Sequence, residues 1–403
     1  MYRLLILSMT LPLLGAAREV NLSLAEMPGR VSAQHPGLRA ARLAVEEARG
    51  RMTGAGRRSN PELGFEFKHD DRFREGMVGL SFDQKFPLTA RLRLEKQVSS
   101  IEVEAAQLEV AEQQRALTEQ ALQVAVKMLS LDQQRALRKQ QVELAQKLAD
   151  FAVKRAESGE MSALDAAQAQ IDAQRAILDE RLLEAERIAL MGEIRPLLGI
   201  PASDSVVLTG ALPKASMPEA RKWTTRPDYQ LALLKEKLAT SRIDLAHAGK
   251  WQDVSAGVFV EGERAEDEPG GLRRTPFAGV RVSVPLPIWN KNEGAVQEAT
   301  AAAQRAGLET KALAQHITQE VAAAREQMAA QLKLADDTQT KLLPLVVQQT
   351  ENLQKAFEQG QSDLIALLRA RDQALQLEAA VIAATRAFHI ARIRYESANG
   401  FRP

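Results

Sequence analysis

The sequence contains no cysteine. Disulfides, thiolate nucleophiles, cysteine metal sites and an acylated N-terminal cysteine are therefore excluded. Aromatic residues are scarce, at 4%, which leaves little material for thick cores packed around large rings. Neither sign of charge dominates. The formal net charge is +1, so no bulk attraction to nucleic acid follows. Beyond the N-terminus no run of about 18 or more apolar residues occurs, which excludes a membrane-spanning helix. The five histidines are His35, His69, His247, His316 and His389. No two lie three or four residues apart, so none forms a helical metal pair. His69 beside Asp70 and Asp71 reads as a solvated turn rather than a metal site. A phosphate-cradling loop, a nucleophile elbow and a His-Glu-x-x-His run are all missing. No catalysis, metal or cofactor is expected.

Ala, Leu, Gln, Glu and Arg are plentiful, and they suit long helices that pack closely over small side chains. At the N-terminus Arg3 is followed by the apolar run Leu4 to Leu14 and by Gly15-Ala16-Ala17. A basic start, a hydrophobic stretch and small residues at a cleavage point make a secretory signal, with processing expected after Ala17.

Comparison of the chain with itself shows two copies of one plan. His35-Pro36 and Arg226-Pro227 each open an amphipathic stretch. A short alternating region follows in each copy, ending in Phe86-Pro87-Leu88 and Leu286-Pro287-Ile288. A very long helical stretch comes next, broken at Gly159 in one copy and at Gly360 in the other. The prolines Pro87 and Pro287 are 200 residues apart and the glycines 201. Two landmarks holding nearly one offset indicate a tandem duplication.

The long stretches repeat apolar residues at steps of three and four. Val110, Leu117, Ala121, Val124, Met128 and Leu131 form one stripe. Leu313, Ile317, Val321, Ala324, Met328, Leu332 and Ala335 form the other, continued by Leu342, Val346, Leu353 and Phe357. Such spacing predicts helices packed along their length. The span from Pro87 to Gly159 amounts to roughly 100 Å of helix. Pro344 is expected to kink the second stretch. The alternating regions differ in period. Leu63, Phe65 and Phe67, then Val78, Leu80 and Phe82, alternate with polar residues or glycine. Val254, Ala256, Val258 and Val260 do the same, as do Ala278, Val280, Val282 and Val284. These segments predict four strands in two hairpins, each strand with one apolar face.

A soluble sheet of four strands has exposed edges and little to bury. In a bilayer the same strands must close into a barrel, because every backbone group needs a partner. Bacterial barrels have about eight strands or more, so closure requires several chains. Three copies give about twelve.

At this point the residues resemble the TolC-like outer-membrane efflux proteins, over nearly the whole mature length. The matching runs are His35-Pro36-Gly37-Leu38-Arg39, Asn60-Pro61-Glu62-Leu63, Leu197-Leu198-Gly199-Ile200-Pro201 and Arg226-Pro227-Asp228-Tyr229. Further along come Val284 to Gly294, Leu343-Pro344 and Gly360-Gln361-Ser362. The resemblance implies a mainly α fold with a small β part. Long antiparallel helical hairpins in two tandem repeats and four transmembrane strands would form a trimeric twelve-stranded β-barrel, continued by an α-helical periplasmic barrel. The expected organisation is a signal peptide over 1–17 and a first repeat over 18–200, with its hairpin at 62–86 and tip at 159. An equatorial linker over 201–225 follows. The second repeat covers 226–398, with its hairpin at 253–285 and tip at 360, and leaves a tail over 399–403.

The implied protein is a passive outer-membrane duct of a tripartite system, with a long periplasmic extension. Its partners would be two further copies of itself, a periplasmic adaptor (membrane fusion) protein, an inner-membrane RND-type pump and outer-membrane lipid. The run Pro285-Leu286-Pro287-Ile288-Trp289-Asn290-Lys291-Asn292-Glu293-Gly294 is most similar to the heavy-metal (cobalt-zinc-cadmium or copper-silver) branch. A duct for drugs or type I secreted proteins is the alternative within this fold. A periplasmic coiled-coil adaptor is the alternative outside it.

The resemblance also assigns the tips. Gly159, Ser162, Leu164 and Asp165 match the first turn, and Gly360, Ser362 and Leu364 the second, as adaptor-docking and tunnel-tip residues. Family members often carry an acidic ring on the returning helix of the second tip. Here Ala366 and Arg369 stand at those positions, and Asp363 is one turn too early. Arg369 with Asp165 is the pair expected to gate the aperture.

Overall fold

A computed structural model describes residues 18–219, 222–267, 270–359, 361–362 and 364–400. The expected signal segment, Gly360 and Asp363 lie outside the described residues, and so does the side chain of Leu364. Among the described residues no helix is long and apolar enough to cross a membrane.

The chain divides into two compact units. One gathers the chain up to Arg39, Gln113–Trp223 and everything from Thr318 onward. The other comprises Ala40–Glu112 and Thr224–Ile317. In chain order the elements are β1 (Glu19–Leu22), α1 (Met27–Gln34), α2 (Pro36–Gly54), β2 (Glu62–His69), β3 (Gly76–Phe86), α3 (Arg91–Glu157), α4 (Ala163–Leu197) and β4 (Ser205–Leu208). The second half holds α5 (Pro227–Ala248), β5 (Val254–Asp267), β6 (Gly271–Ser283), α6 (Glu293–Asp337), α7 (Leu343–Glu358) and α8 (Leu364–Ala398).

In the first unit the heptad stripe of α3 becomes the core. Ala121, Val124, Met128 and Leu131 are buried with Leu190, Ile194 and Leu197 of α4, and with Met27, Val31 and Leu38 of α1 and α2. Against them pack Leu22 and Val206 from a two-stranded parallel sheet, in which Glu19 pairs with Ser205 and Leu22 with Leu208. The segment 201–225, expected as a linker, thus contains a strand. Four residues flanked by turn-forming Ser and Asp are too short to show a period. A second cluster joins Ala324 and Met328 of α6 to Phe388, Ala391 and Tyr395 of α8.

At Pro344 the regular helix is interrupted, one turn upstream of the proline. Thr338–Leu342 form a π-turn directly before it. Proline has no N–H to donate, and its ring crowds the carbonyl four residues back. A wider turn relieves that crowding. Thr338 and Thr340 donate their hydroxyls to the carbonyls of Leu334 (2.8 Å) and Asp336 (2.7 Å) and so satisfy acceptors in the distorted stretch. The inserted residue also shifts the phase of the helix. Of the residues that spacing placed on the buried stripe, Val346 is buried, whereas Leu342 and Phe357 are exposed.

The second unit is built on a four-stranded antiparallel sheet in the order β2-β3-β5-β6. The two predicted hairpins are present, joined to each other by β3 against β5. Where strand becomes helix, Arg91 of α3 forks onto both carboxylate oxygens of Asp253 (2.9 and 2.7 Å) and also reaches Glu95 (2.6 Å). Thr89 donates to the carbonyl of Ala248 (3.0 Å). These bonds tie the foot of the sheet to its helices. Val98 and Ile101 of α3 pack there on Leu238 of α5.

One buried group makes the first unit sensitive to acid. His389 is only 4% exposed, sits edge-on to Phe388 and hydrogen-bonds to the carbonyl of Pro213. Its Nε2 has no partner. Burial lowers its pKa below the ordinary 6.5, the bond to Pro213 opposes that, and Arg392 and Glu396 act weakly in opposite directions. The folded protein therefore holds a neutral ring, and the unfolded chain binds a proton that the folded one refuses. Stability is full above about pH 6.5 and falls as the pH drops below it, by at most about 1.4 kcal/mol per pH unit. Denaturant midpoints measured between pH 5 and 8 are expected to show this slope, and His389→Phe is expected to flatten it.

Candidate functional site at the helical turns and the exposed sheet

The turn between α3 and α4 is made by three local devices. Gly159 has φ +75°, in the left-handed region that only glycine enters without strain. The N–H of Glu160 bonds the carbonyl of Arg155 (2.9 Å) and that of Gly159 bonds Ala156 (3.1 Å), which closes the helix with a Schellman motif. Ser162, extended at ψ 137°, then caps α4 by accepting from the N–H of Leu164 (3.2 Å). Asp165 stands in the first turn of α4, where its charge suits the helix dipole. The second turn repeats the first in its described part. The N–H of Gln361 bonds the carbonyl of Ala356 (2.8 Å), again five residues back.

A groove of about 680 Å³ runs beside the first turn, lined by α3, α4 and α8. Asp165, Asp172 and Asp179 stand at seven-residue steps along its α4 wall, with Arg138, Arg175, Arg369 and Asp372 among its other charged residues. Arg138 pairs with Asp179 at 3.6 Å. Asp165 and Arg369 are both exposed and line this one groove, yet no ion pair joins them within the chain. Spacing alone brought neither the carboxylate row nor the groove to notice, because charges at heptad steps look like an ordinary solvated face. A second feature also went unread. Leu164 (78% exposed), Ile171, Leu178 and Leu182 form an uncovered apolar stripe on α4. Their spacing of seven, seven and four was the available signal.

The sheet presents a different kind of surface. Register places Leu63, Phe82, Val258 and Val280 in one row and Phe65, Leu80, Val260 and Ala278 in the next. Phe67 and Val78 belong to a third row. Directly opposed residues share a face, so one face of the sheet is apolar throughout these rows. It is also uncovered: Val280 is 78% exposed, and Leu63, Phe65, Leu80 and Val260 are all exposed. The other face carries Glu66, Glu261, Lys68, Asp83 and Arg281 between the glycines Gly64, Gly79 and Gly257. Arg281 lies over the ring of Phe259, 5.5 Å from its centroid. Along β6 every residue except Gly279 is exposed. Aromatic residues flank the apolar rows: Phe86, Trp251 and the 94% exposed Trp289 lie toward the strand ends that join helices, and Phe73 lies toward the hairpin turn.

Helical hairpins of this kind, duplicated and joined to a sheet with one bare apolar face, have a counterpart among known proteins. Residues 27–199 match the outer membrane efflux protein family. The members of that family are channels and not enzymes. No curated protein matches the chain by sequence. Solved structures extend the likeness of fold over both halves. The crystal structure of CusC, described with its transmembrane channel formation, superposes with a TM-score of 0.75 at 16% identity, covering 95% of this chain and 93% of that one. The Campylobacter jejuni CmeC outer membrane channel gives 0.76 at 13% identity, covering 94% and 85%. The outer membrane protein VceC from Vibrio cholerae gives 0.72 at 17% identity, covering 94% and 97%. The mainly α fold with its small β part is therefore shared with helical-barrel and β-barrel channels across nearly its full length.

The turn geometry predicts its own sensitivity. Gly159→Ala is expected to destabilise the α3–α4 turn by about 1–2 kcal/mol, and Ser162→Ala by about 1 kcal/mol. Amide hydrogen exchange over 155–166 checks both. The expected result is faster exchange confined to this turn, with the remainder of α3 unchanged.

Proposed function

We propose that the chain is one subunit of a homotrimeric outer-membrane channel, the passive outer duct of a tripartite efflux system. The observation that carries this reading is the sheet β2-β3-β5-β6, which is apolar and uncovered on one face and unpaired along both edge strands. In water such a sheet leaves its apolar rows and two lines of backbone donors and acceptors unsatisfied. In a bilayer, lipid covers the apolar face and neighbouring copies complete the edges. The strands of 8 to 14 residues bracket the roughly 9–11 needed to cross the hydrocarbon layer at a tilt. The family match over 27–199 supports the same reading. A soluble coiled-coil adaptor would have no use for the exposed rows.

Within this reading the turns at Gly159, Ser162, Leu164 and Asp165, and at Gly360, Ser362 and Leu364, are the periplasmic tips that meet an adaptor, with an RND-type pump supplying the energy. The uncovered stripe of α4 and the charged groove beside it give an adaptor both apolar and ionic contacts. Small cations, heavy metals among them, are the cargo we favour. The run from Pro285 to Gly294 supports that choice, as does the carboxylate row of Asp165, Asp172 and Asp179. Asp165 and Arg369 remain our proposed aperture pair, now with a route through bridging water or across a subunit boundary.

Two measurements test the reading. Leu80→Arg places a charge in the middle row of the lipid face, at a cost of about 2–4 kcal/mol, and is expected to abolish flotation of the refolded protein with lipid vesicles. The cysteine-free chain also allows a clean cross-link between edges. With Glu66→Cys on β2 and Arg281→Cys on β6, a flexible bismaleimide is expected to give dimer and trimer bands and nothing larger. A ladder continuing beyond trimer, or monomer alone, overturns the closed three-copy barrel. For the aperture, Arg369→Ala is expected to raise single-channel conductance in planar bilayers. An unchanged conductance removes Arg369 from the gate.

A further inference from the structure

Beyond the last apolar row the sheet carries one more row on the same face. His69, Gly76, Arg264 and Arg274 are register partners across all four strands. The three with side chains are exposed. Arg264 and Arg274 stand directly opposite each other, an arrangement that repels. No ion pair joins either to a carboxylate among the described residues. The row itself holds no acid, and the next one outward on this face is Glu266, opposite Leu272.

His69 is fixed in place by its neighbours. Its Nδ1 lies 2.7 Å from the carbonyl of Asp70, so that nitrogen donates, and its ring stacks on Phe73 at 3.8 Å and tilts against Phe67 at 5.4 Å. Two acids of the adjoining turn, Asp70 and Glu75, are engaged. Asp70 accepts from the N–H of Glu75 (3.0 Å), and Glu75 accepts from the N–H of Glu266 (3.0 Å). Gly76, between His69 and Arg264, puts no side chain into the row. A side chain there would bring its Cβ to 2.7 Å from the carbonyl of Lys68.

We propose that this row binds the phosphate of an anionic lipid headgroup in the outer leaflet. The inference rests on the reading of the sheet as a membrane wall, which puts the hairpin turns outside. The row lies one pleat past the apolar rows and level with an aromatic cluster, at the depth where headgroups begin. Guanidinium groups match phosphate oxygens with two parallel hydrogen bonds each. A phosphate set between Arg264 and Arg274 turns their repulsion into attraction to a shared anion.

The test uses the full chain in dodecyl maltoside micelles, with lipid A as the bis-phosphorylated probe. Binding is read by native mass spectrometry and by the heat-dissociation midpoint. Lipid A is expected to bind the wild type at least about fivefold more tightly than the R264Q/R274Q variant, and to raise the midpoint of the wild type alone. Dephosphorylated lipid A and inorganic phosphate are expected to do neither. Equal binding to both proteins overturns the proposal. An equal effect of the dephosphorylated lipid overturns it using wild-type protein alone, whether or not the variant folds. An equal effect of inorganic phosphate makes the row a free-anion site and overturns the lipid assignment. Flotation with vesicles separates the two readings. A chain that does not float defeats the channel, whereas one that floats but shows no preference for phosphate defeats this inference alone.

Discussion

A backbone N–H or C=O without a partner is tolerable in water and prohibitive in hydrocarbon. In the channel we propose, this constraint organises the sheet and the helices that leave it. The sheet β2-β3-β5-β6 ends in two strands whose outer edges meet no further strand among the described residues. Its residues have been chosen as though partners will arrive. One face is apolar where lipid would lie, the other is charged where water would lie, and aromatic rings mark both limits. The helices then have a defined task. They must leave the ends of these strands in a fixed direction, and the fork of Arg91 on Asp253, with Glu95 behind it, fixes one such departure. A charged pair suits this place better than an apolar contact, because it sets an angle as well as a distance.

The two repeats solve the same problem with the same backbone chemistry at two points. The five-residue-back bond at Glu160 recurs at Gln361, and the left-handed glycine at Gly199 recurs at Gly400 with φ +62° and +75°. Their side chains have diverged freely around these points. The π-turn before Pro344 has no counterpart in α3, which runs unbroken for 67 residues. One half of the chain thus has a hairpin whose first helix is unbroken, and the other a hairpin whose first helical stretch carries a π-turn. Leu342 and Leu345 are turned to the surface as a result. A single proline has made two copies of one plan unlike.

Much of this was legible in the chain because its periods are long and clean. A stripe of threes and fours sustained from Val110 to Leu131 has no other reading than a packed helix, and Val78, Leu80 and Phe82 none other than a strand with one apolar face. The glycine that breaks the first long stretch marked the turn at Gly159. What stayed hidden lacked a period or depended on distant partners. β4 has four residues and exists because β1 lies beside it. The separation of α1 from α2 at His35 was masked by Gly29 and Gly37, which argue locally against any helix. The carboxylates Asp165, Asp172 and Asp179 became a feature only when α8 supplied the opposite wall of their groove.

The pairing of β1 with β4 has a kinetic meaning. A bond from Arg18 to Asp204 closes a loop of 186 residues (3.4 Å), and β3 finds β5 across a comparable separation. Local hairpins and helices form in microseconds, whereas closures this distant in sequence come late and slowly. The four-stranded sheet therefore cannot be completed until the second repeat is present, whereas β1 and β4 need only the segment that precedes it. The first repeat must wait, with its apolar rows bare, through whatever journey brings the rest of the chain to it. A chain assembled in this order finishes its most aggregation-prone surface last.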